Sequence, residues 1–215
     1  MSLKVNEIFY SIQGESSYAG YPCVFVRLTG CNLRCSYCDT QYAYDDGELL
    51  EIPQLLNSVK NYNCPLVEIT GGEPLNQAET PKLITQLIES GYQVLLETNG
   101  SQNISVVDDR CIRILDIKCP SSGEHQQNDW ANLERLSAND EIKFVIGSRE
   151  DYDYAKAALK RLSRKNRKFN KVHFSPVFGK QDPKMLAEWI LSDHLPVKLH
   201  LQLHKVVWGP DKKGV

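Results

Sequence analysis

Three cysteines within a short segment are the part of this sequence that most directly indicates chemistry. They are spaced C-x3-C-x2-C, at Cys31, Cys35 and Cys38. Thiolates are soft ligands that favour iron–sulfur clusters, zinc or Cu(I). A cubane cluster has four irons and normally takes four cysteines, so three cysteines leave one iron open to a chelating molecule. We therefore predict a [4Fe–4S] cluster in the loop of residues 30–40.

Two other interpretations of the three cysteines stay open: a structural zinc site and a chance grouping of thiols. Structural zinc usually takes two pairs of ligands, and the sequence has no second C-x2-C pair. The remaining cysteines are scattered along the chain. Cys23 and Cys111 lie in apolar runs, which is typical of small buried side chains, and Cys64 and Cys119 are assigned no ligand role.

Short apolar runs that alternate with helical patterns must position the three cysteines. The strand-like runs are residues 23–28, 66–69, 94–97, 112–117, 142–146, 172–174 and 197–203. Apolar spacing near three and four indicates helices at residues 52–59, 83–88, 154–162 and 185–191. Asp182 before Pro183 is predicted to cap the last of these helices. This alternation predicts parallel βα units in a single α/β domain over residues 1–215, as a partial barrel or a doubly wound sheet.

Polar, glycine and proline residues cluster just after the predicted strands. In either architecture, ligands gather at the carboxyl ends of the strands. The segments found there are residues 29–31 (TGC), 70–74 (TGGEP), 98–100 (TNG), 118–121 (KCPS), 175–176 (SP) and 204–205 (HK). We therefore expect the functional site at this edge of the sheet.

Bulk composition excludes several classes of function. The chain has 215 residues, 41% of them hydrophobic, and a formal net charge of −2. That charge gives no reason to expect a nucleic acid or an anionic membrane as a partner. No run of about 18 apolar residues is present, and the N-terminus lacks the apolar core of a signal peptide. We expect a cytoplasmic protein without a membrane partner.

The cysteine triad after the first predicted strand and the GGEP segment after the next one resemble the radical S-adenosylmethionine (SAM) superfamily. The resemblance implies a partial (β/α)6 barrel whose cluster holds SAM on its open iron. It also implies that an electron from the cluster cleaves SAM to a 5′-deoxyadenosyl radical, which abstracts hydrogen from a substrate. The implied SAM-binding residues are Tyr37, Cys38, Asp39, Gly72, Glu73, Asn99, Lys118, Pro120, Ser121 and Ser175.

Segments outside the core motif are similar to one branch of this superfamily, the 7-carboxy-7-deazaguanine synthase family. They are residues 7–16 (EIFYSIQGES), 20–28 (GYPCVFVRL), 38–40 (CDT), 116–123 (DIKCPSSG) and 202–205 (QLHK). Ser16 stands where a glycine is common. The resemblance implies conversion of 6-carboxy-5,6,7,8-tetrahydropterin to 7-carboxy-7-deazaguanine with loss of ammonia, in queuosine and 7-deazapurine biosynthesis. It also implies Mg2+ and a homodimer.

The candidate substrate residues suit an acidic pterin. Arg27 can offer a planar fork to a carboxylate, and Glu97 can accept the N–H groups of a pterin edge. Gly14 permits close approach of the backbone. Each has an ordinary alternative: a structural ion pair, a strand-end carboxylate or a turn. The full set implied by the resemblance is Ile12, Gln13, Gly14, Glu15, Arg27, Thr70, Glu97 and His204.

Two further features have competing interpretations. The Thr40 hydroxyl is assigned to Mg2+, a cation that prefers oxygen ligands, and the alternative is a helix cap. The Lys/Arg-rich residues 160–171 are interpreted as a solvated helix end and loop. The alternative for them is a docking patch for an acidic electron donor such as flavodoxin.

Two other functions remain as alternatives. A glycyl-radical-enzyme activase shares the triad and the size, but the SIQGE segment, Arg27 and residues 202–205 are better explained by a small acidic substrate. A non-catalytic zinc or iron–sulfur protein does not explain the GGEP segment or the polar strand ends.

Overall fold

The computed structural model describes residues 1–163 and 171–215. Within these ranges the strands form a single nine-stranded sheet in the order β3-β1-β2-β4-β5-β6-β7-β8-β9. The strands are β1 Ser2–Ile12, β2 Pro22–Leu28, β3 Glu48–Glu51, β4 Leu66–Gly71, β5 Gln93–Thr98, β6 Ile112–Ile117, β7 Glu141–Ile146, β8 Val172–Pro176 and β9 Lys198–Leu199.

The central strands are parallel, as the sequence predicts. β2, β4, β5, β6, β7 and β8 pair in that order with parallel register, and the short β9 continues the set. β1 pairs antiparallel with β2, and β3 pairs antiparallel with β1. The carboxyl ends of six parallel strands therefore meet at one edge of an open sheet, where ligands collect in such folds.

Helices follow most of the parallel strands along the chain. They are α1 Ile52–Lys60, α2 Thr80–Glu89, α3 Asn132–Arg135, α4 Arg149–Ser163, α5 Pro183–Ser192 and α6 Leu203–Trp208. The predicted partial (β/α)6 architecture is confirmed, with two reduced connections. β5 and β6 are joined by a loop with only the short 3-10 helix Ile104–Val106, and β6 and β7 by a loop with the four-residue α3.

Most of the predicted elements are confirmed. Asp182 caps α5, since its side chain accepts a hydrogen bond from the backbone N–H of Lys184 at 2.8 Å. Cys23 and Cys111 are buried, as predicted. The predicted strand over residues 197–203 is wrong beyond Leu199, because only two residues pair with β8 and the chain then enters α6.

The amphipathic pattern of the helices explains how the core forms. The buried face of α1 carries Ile52, Leu55 and Val59 at helical spacing. Together with α2, it packs against β-branched and leucine side chains of the parallel strands. None of the helices in the described ranges is long and apolar enough to cross a membrane. Most of the basic segment 160–171 lies outside the described residues, so its interpretation stays a prediction.

Candidate functional site

A cavity of about 550 Å³ opens at the carboxyl edge of the parallel strands. Its volume lies within the range of about 300–1,000 Å³ usual for ligand pockets. It brings together most of the residues singled out from the sequence. The predicted residues in its wall are Ile12, Gln13, Gly14, Glu15, Arg27, Cys31, Cys35, Tyr37, Cys38, Asp39, Thr40, Thr70, Gly72, Glu97, Asn99, Lys118 and His204.

The cysteine loop follows β2 and is fixed by backbone hydrogen bonds at both of its sides. The N–H of Glu73 donates to the carbonyl of Gly30 at 2.7 Å, which joins the loop to the GGEP segment after β4. On the other side, the N–H of Ser36 donates to the carbonyl of Ser122 at 3.0 Å. The loop is therefore anchored to the ends of both β4 and β6, and its three cysteines line the cavity.

The surroundings of these thiols fit an iron–sulfur cluster. Cys31 Sγ accepts a hydrogen bond from the N–H of Leu33 at 3.4 Å and a long one from Asn99 Nδ2 at 3.9 Å. Hydrogen bonds to sulfur of this kind tune cluster potentials. A Cβ on Gly72 would lie 2.8 Å from that of Cys31, so the bare glycine keeps the space beside the thiol open.

Metal binding at these cysteines is coupled to the release of their thiol protons. Burial raises the pKa of Cys31 and raises that of Cys35 to about 11. Because iron binds the thiolate form, cluster assembly would displace these protons. Within the described residues, no group of three or more His, Cys, Asp or Glu side chains is arranged so that it could hold one metal ion. Ligands of a cubane bind different irons and need no such grouping, whereas a mononuclear zinc site does.

The residues predicted for SAM divide into two groups. Tyr37, Asn99 and Lys118 line the cavity, and the Tyr37 hydroxyl is buried without a hydrogen-bond partner among the described residues. The Lys118 ammonium pairs with Asp116 at 2.7 Å. Burial opposes the charge of Lys118, but the attraction of Asp116 outweighs it and raises the pKa of Lys118.

The second group of predicted SAM residues lies outside the cavity wall. The Glu73 carboxylate is buried and accepts hydrogen bonds from the backbone N–H groups of Leu75 and Asn99 and from the Thr98 hydroxyl. It therefore holds the turn after β4 in shape.

The other three residues of this group are held by the fold itself. The N–H of Ser121 donates to Asp151 at 2.8 Å, and Ser175 is buried in β8. Pro120 begins the 3-10 helix Pro120–Ser122. Their SAM contacts stay predictions.

Arg27 reaches the cavity from β2 and is held by an acid and two rings. Its Nε donates to Glu7 at 2.7 Å. The guanidinium lies 5.7 Å from the ring centroid of Phe9 and 5.8 Å from that of Tyr42. Arg27 therefore forms a structural ion pair and lines the cavity at the same time. The ion pair holds the guanidinium at the cavity wall.

A buried network of charges forms another part of the cavity wall. The ammonium of Lys143 on β7 contacts Glu15 and lies 2.5 Å from Glu97. The other oxygen of Glu15 accepts a hydrogen bond from Gln202 at 2.7 Å. Burial favours the neutral form of Glu15, but the charge and hydrogen bond of Lys143 outweigh it and lower the pKa of Glu15.

Glu68 on β4 lies beside this network, and its pKa is shifted in the direction opposite to that of Glu15. Its carboxyl is buried and accepts a hydrogen bond from the side chain of Gln13. Burial, and then the negative charges of Glu97 and Glu15, raise the pKa of Glu68 well above its ordinary value. The cavity is thus lined by one carboxyl whose pKa lies well above the ordinary value and by others that pair with lysine.

The raised pKa of Glu68 should make the folding stability of the protein depend on pH. The folded protein binds this proton more tightly than the unfolded chain does, so Glu68 costs stability increasingly as pH rises above the ordinary carboxyl pKa of about 4.5. We expect Glu68→Gln to raise the melting temperature at pH 7 by a few degrees, since about 1 kcal/mol corresponds to about 2–4 °C in a chain of this size. The gain should shrink as pH falls toward 4.5.

Thermal unfolding at several pH values checks this prediction. Glu48→Gln is the matched control, because Glu48 is exposed at the edge of the sheet. A Glu68→Gln stability gain that did not depend on pH would contradict the stated cause.

The C-terminal part of the chain closes the cavity from above. The N–H of Leu203 donates to the carbonyl of Gly14 at 2.9 Å, and a Cβ on Gly14 would lie 2.1 Å from His204 Nδ1. Lys205 pairs with Asp39 at 2.5 Å. Burial lowers the pKa of His204, so its imidazole tends to be neutral. Residues 210–215 also line the wall.

Thr40 lies in the wall beside the cysteine loop. Its hydroxyl donates to Asp39 at 2.9 Å and makes no capping hydrogen bond to the 3-10 helix Gln41–Ala43. The structure therefore gives no support to the helix-cap alternative.

Several wall residues were not anticipated from the sequence, namely Glu68, Asp116 and Lys143. Each is a charged residue among the apolar residues of its strand, which is the signal that singled out Arg27, although β6 also carries Arg113 and β7 also carries Glu141. Glu68 also lies two residues before Thr70, so period-two alternation places both on one face of β4. This signal was available in the sequence for all three.

The fold and the thiol-lined cavity define a class of protein, and comparison with known families agrees with it. Residues 25–191 match the radical SAM superfamily, and the chain belongs to it. The chain is 46% identical to the 7-carboxy-7-deazaguanine synthase of Chlorobaculum tepidum, over 99% of this chain and 97% of that protein. It is 43% identical to the synthase of Koribacter versatilis, over 99% and 100% of the two chains. The chain therefore belongs to the 7-carboxy-7-deazaguanine synthase family.

Solved structures show the same fold. The crystal structure of QueE from Escherichia coli superposes with a TM-score of 0.77 at 22% identity, covering 95% of each chain. Streptococcus suis SuiB bound to S-adenosylmethionine has a TM-score of 0.56 at 11% identity, covering 84% of this chain and 50% of that one.

Proposed function

We propose that this enzyme converts 6-carboxy-5,6,7,8-tetrahydropterin to 7-carboxy-7-deazaguanine with loss of ammonia, in queuosine and 7-deazapurine biosynthesis. One observation carries the proposal. A single cavity has a wall that contains the three cysteines together with Arg27, Glu97 and His204. That wall suits a substrate with a carboxylate and an edge of N–H groups. The names of the full-length relatives support the same reaction.

The cofactors of the superfamily are a [4Fe–4S] cluster and SAM. We assign the cluster to Cys31, Cys35 and Cys38, and SAM to the side of the cavity lined by Tyr37 and Gly72. When bound, they supply the radical that abstracts hydrogen from the substrate. The further SAM residues in this proposal are Asp39, Glu73, Asn99, Lys118, Pro120, Ser121 and Ser175.

The protein's own groups bind and orient the substrate in this proposal. Arg27 pairs with the substrate carboxylate, and the neutral His204 adds a hydrogen bond to it. Glu97 accepts N–H groups of the pyrimidine ring. The backbone beside Gly14, which approaches His204 closely, contributes with Ile12, Gln13, Glu15 and Thr70.

We also propose a Mg2+ ion bound through Thr40, substrate and water. Its support is the hydroxyl in the cavity wall beside Asp39. With a single protein oxygen, the ion would depend on substrate for its remaining ligands, as Mg2+ in enzymes often does.

The Mg2+ proposal makes a prediction for Thr40→Val. We expect the Mg2+ concentration for half-maximal turnover to rise about tenfold or more, because one hard oxygen ligand is lost. Thr40→Ser keeps the hydroxyl and should behave like the wild type. Turnover measured against Mg2+ concentration separates the two, and an unchanged Mg2+ response of Thr40→Val would contradict this role.

The remaining features of the proposal rest on family likeness for the homodimer and on the sequence patterns described above for the others. They are a homodimer in the cytoplasm, built from a single domain over residues 1–215, which receives electrons from a donor such as flavodoxin. The continuous sheet supports the single domain.

Anaerobic reconstitution tests the reaction directly. The protein with cluster is incubated with SAM, dithionite, Mg2+ and the carboxytetrahydropterin, and mass spectrometry follows the products. 7-Carboxy-7-deazaguanine only in the complete mixture is the expected result. 5′-Deoxyadenosine without that product would indicate another substrate, including the partner protein of a glycyl-radical activase. Zinc in place of iron and sulfide after anaerobic purification would favour the non-catalytic alternative.

A further inference from the structure

The most deeply enclosed cation of the cavity wall has no role in the proposed reaction so far. The side chain of Lys143 is only 6% exposed. It extends from β7 between carboxylates on three other elements: Glu15 after β1, Glu97 on β5 and Asp116 on β6, the last at 3.9 Å. Burying an ammonium ion is costly unless such partners surround it, so the position is built around this charge.

The two closest carboxylates differ in what their second oxygen does. Both carboxylate oxygens of Glu15 have partners: one pairs with the ammonium of Lys143, and the other accepts a hydrogen bond from Gln202 at 2.7 Å. Glu97 uses only Oε1, at 2.5 Å from Lys143, and among the described residues Oε2 has no hydrogen-bond partner. Glu97 lines the cavity, so its second oxygen is available to a ligand.

We propose that Lys143 is a positioning residue that keeps Glu97 an anionic acceptor aimed into the cavity, and that holds Glu15 against Gln202 beside the substrate. The proposal rests on the proposed function. It implies that Lys143 contributes to selection of a substrate whose ring presents N–H donors, since the free oxygen of an ionised Glu97 can accept them.

The surrounding charges explain why the lysine is required. Four carboxyl groups from four elements converge on this region: Glu15, Glu68, Glu97 and Asp116. Three histidines lie near them. His173 on β8 is in register with Lys143, and His200 and His204 lie on the C-terminal segment. Burial raises the pKa of Glu97, and the attraction of Lys143 opposes that rise. Without the ammonium, the pKa of Glu97 would rise further, and protonation would reduce the capacity of its carboxyl to accept hydrogen bonds.

Variants of Lys143 separate positioning from folding. Lys143→Met removes the charge and keeps much of the length, and Lys143→Arg keeps the charge. Lys156→Met is the matched control, because Lys156 forms an ion pair with Asp193 at 2.6 Å on the helical face, away from the cavity. Three quantities are measured for each: cluster absorbance, 5′-deoxyadenosine formed without pterin, and kcat and KM for the carboxytetrahydropterin across pH.

We expect Lys143→Met to lower kcat/KM for the pterin by about 100-fold, mainly through KM. Its acidic limb of kcat/KM should move to higher pH, while pterin-free SAM cleavage stays within about twofold of the wild type. Lys143→Arg should recover part of the loss, and Lys156→Met should match the wild type.

Each other outcome has a definite meaning. If the wild type forms no 7-carboxy-7-deazaguanine, the proposed function is wrong and the role of Lys143 falls with it. If the wild type turns over and Lys143→Met keeps kcat/KM within about threefold, only the role of Lys143 is wrong. Loss of pterin-free SAM cleavage in parallel with turnover in both Lys143 variants would show a merely structural role and would also overturn the proposal.

Discussion

Cys38→Ser should leave the protein without a stable cluster and without detectable turnover. A serine oxygen is a hard ligand that replaces a soft thiolate at one iron. Even loss of outer hydrogen-bonding partners at metal sites typically costs about 10–100-fold, so loss of a direct ligand should exceed that range. Iron and sulfide content, cluster absorbance and 5′-deoxyadenosine formation measure the effect.

The control for this prediction is a cysteine outside the loop. Cys64 is buried beside β4, and its thiol donates to the carbonyl of Pro22 at 3.4 Å. A serine hydroxyl can make the same hydrogen bond, so Cys64→Ser should retain iron and activity. A Cys38→Ser protein with a full cluster, or a Cys64→Ser protein without one, would contradict the assignment.

Gly72→Ala should be almost as damaging although it adds only a methyl group. A Cβ at this position would lie 2.2 Å from the carbonyl oxygen of Gly30 and 2.8 Å from the Cβ of Cys31. The first obstacle is backbone, which cannot rotate aside as a side chain can. We expect the cysteine loop to shift, with a fall of about 100-fold or more in the rate of SAM cleavage, because a misplacement of about 1 Å can cost that much.

Gly147→Ala is the matched substitution. Its added Cβ would meet side-chain atoms, the nearest being Val177 at 3.1 Å, so a small adjustment should suffice. The two variants are compared by iron content and by the rate of 5′-deoxyadenosine formation. Equal behaviour of the two alanine variants would show that close packing of the GGEP segment against the cysteine loop is not critical.

Much of the fold follows from patterns that are local in the sequence. The six central strands are rich in apolar and largely buried residues, and their order along the chain equals their order in the sheet. β1 was not anticipated because a register shift between Val5 and Glu7 interrupts its alternation. β9 was predicted too long, because residues 197–203 alternate like a strand although hydrogen bonding to β8 ends early.

The site was predictable to the extent that its residues lie in motifs at strand ends. The cysteine loop, the GGEP segment and Arg27 were located in this way. The partners of Lys143 and Glu68 became evident only from packing, because they lie far away in the sequence: Glu15 is 128 residues from Lys143, and Gln13 is 55 residues from Glu68. Contacts of residues 210–215 with the cavity depend on how the C-terminal segment crosses the sheet edge, which no local pattern specifies.

The assembly of one cavity from nearly every part of the sheet has a consequence for how ligands and folding are coupled. Its wall includes residues from Phe9 to Val215, so a partly unfolded chain cannot contain it. A ligand at about 100 times its Kd would then add about 2.7 kcal/mol to the free energy of global unfolding. It would change the free energy of local fraying only a little. Amide hydrogen exchange should slow in the central strands of the loaded enzyme, while the ends of α5 on the outer face continue to exchange as before.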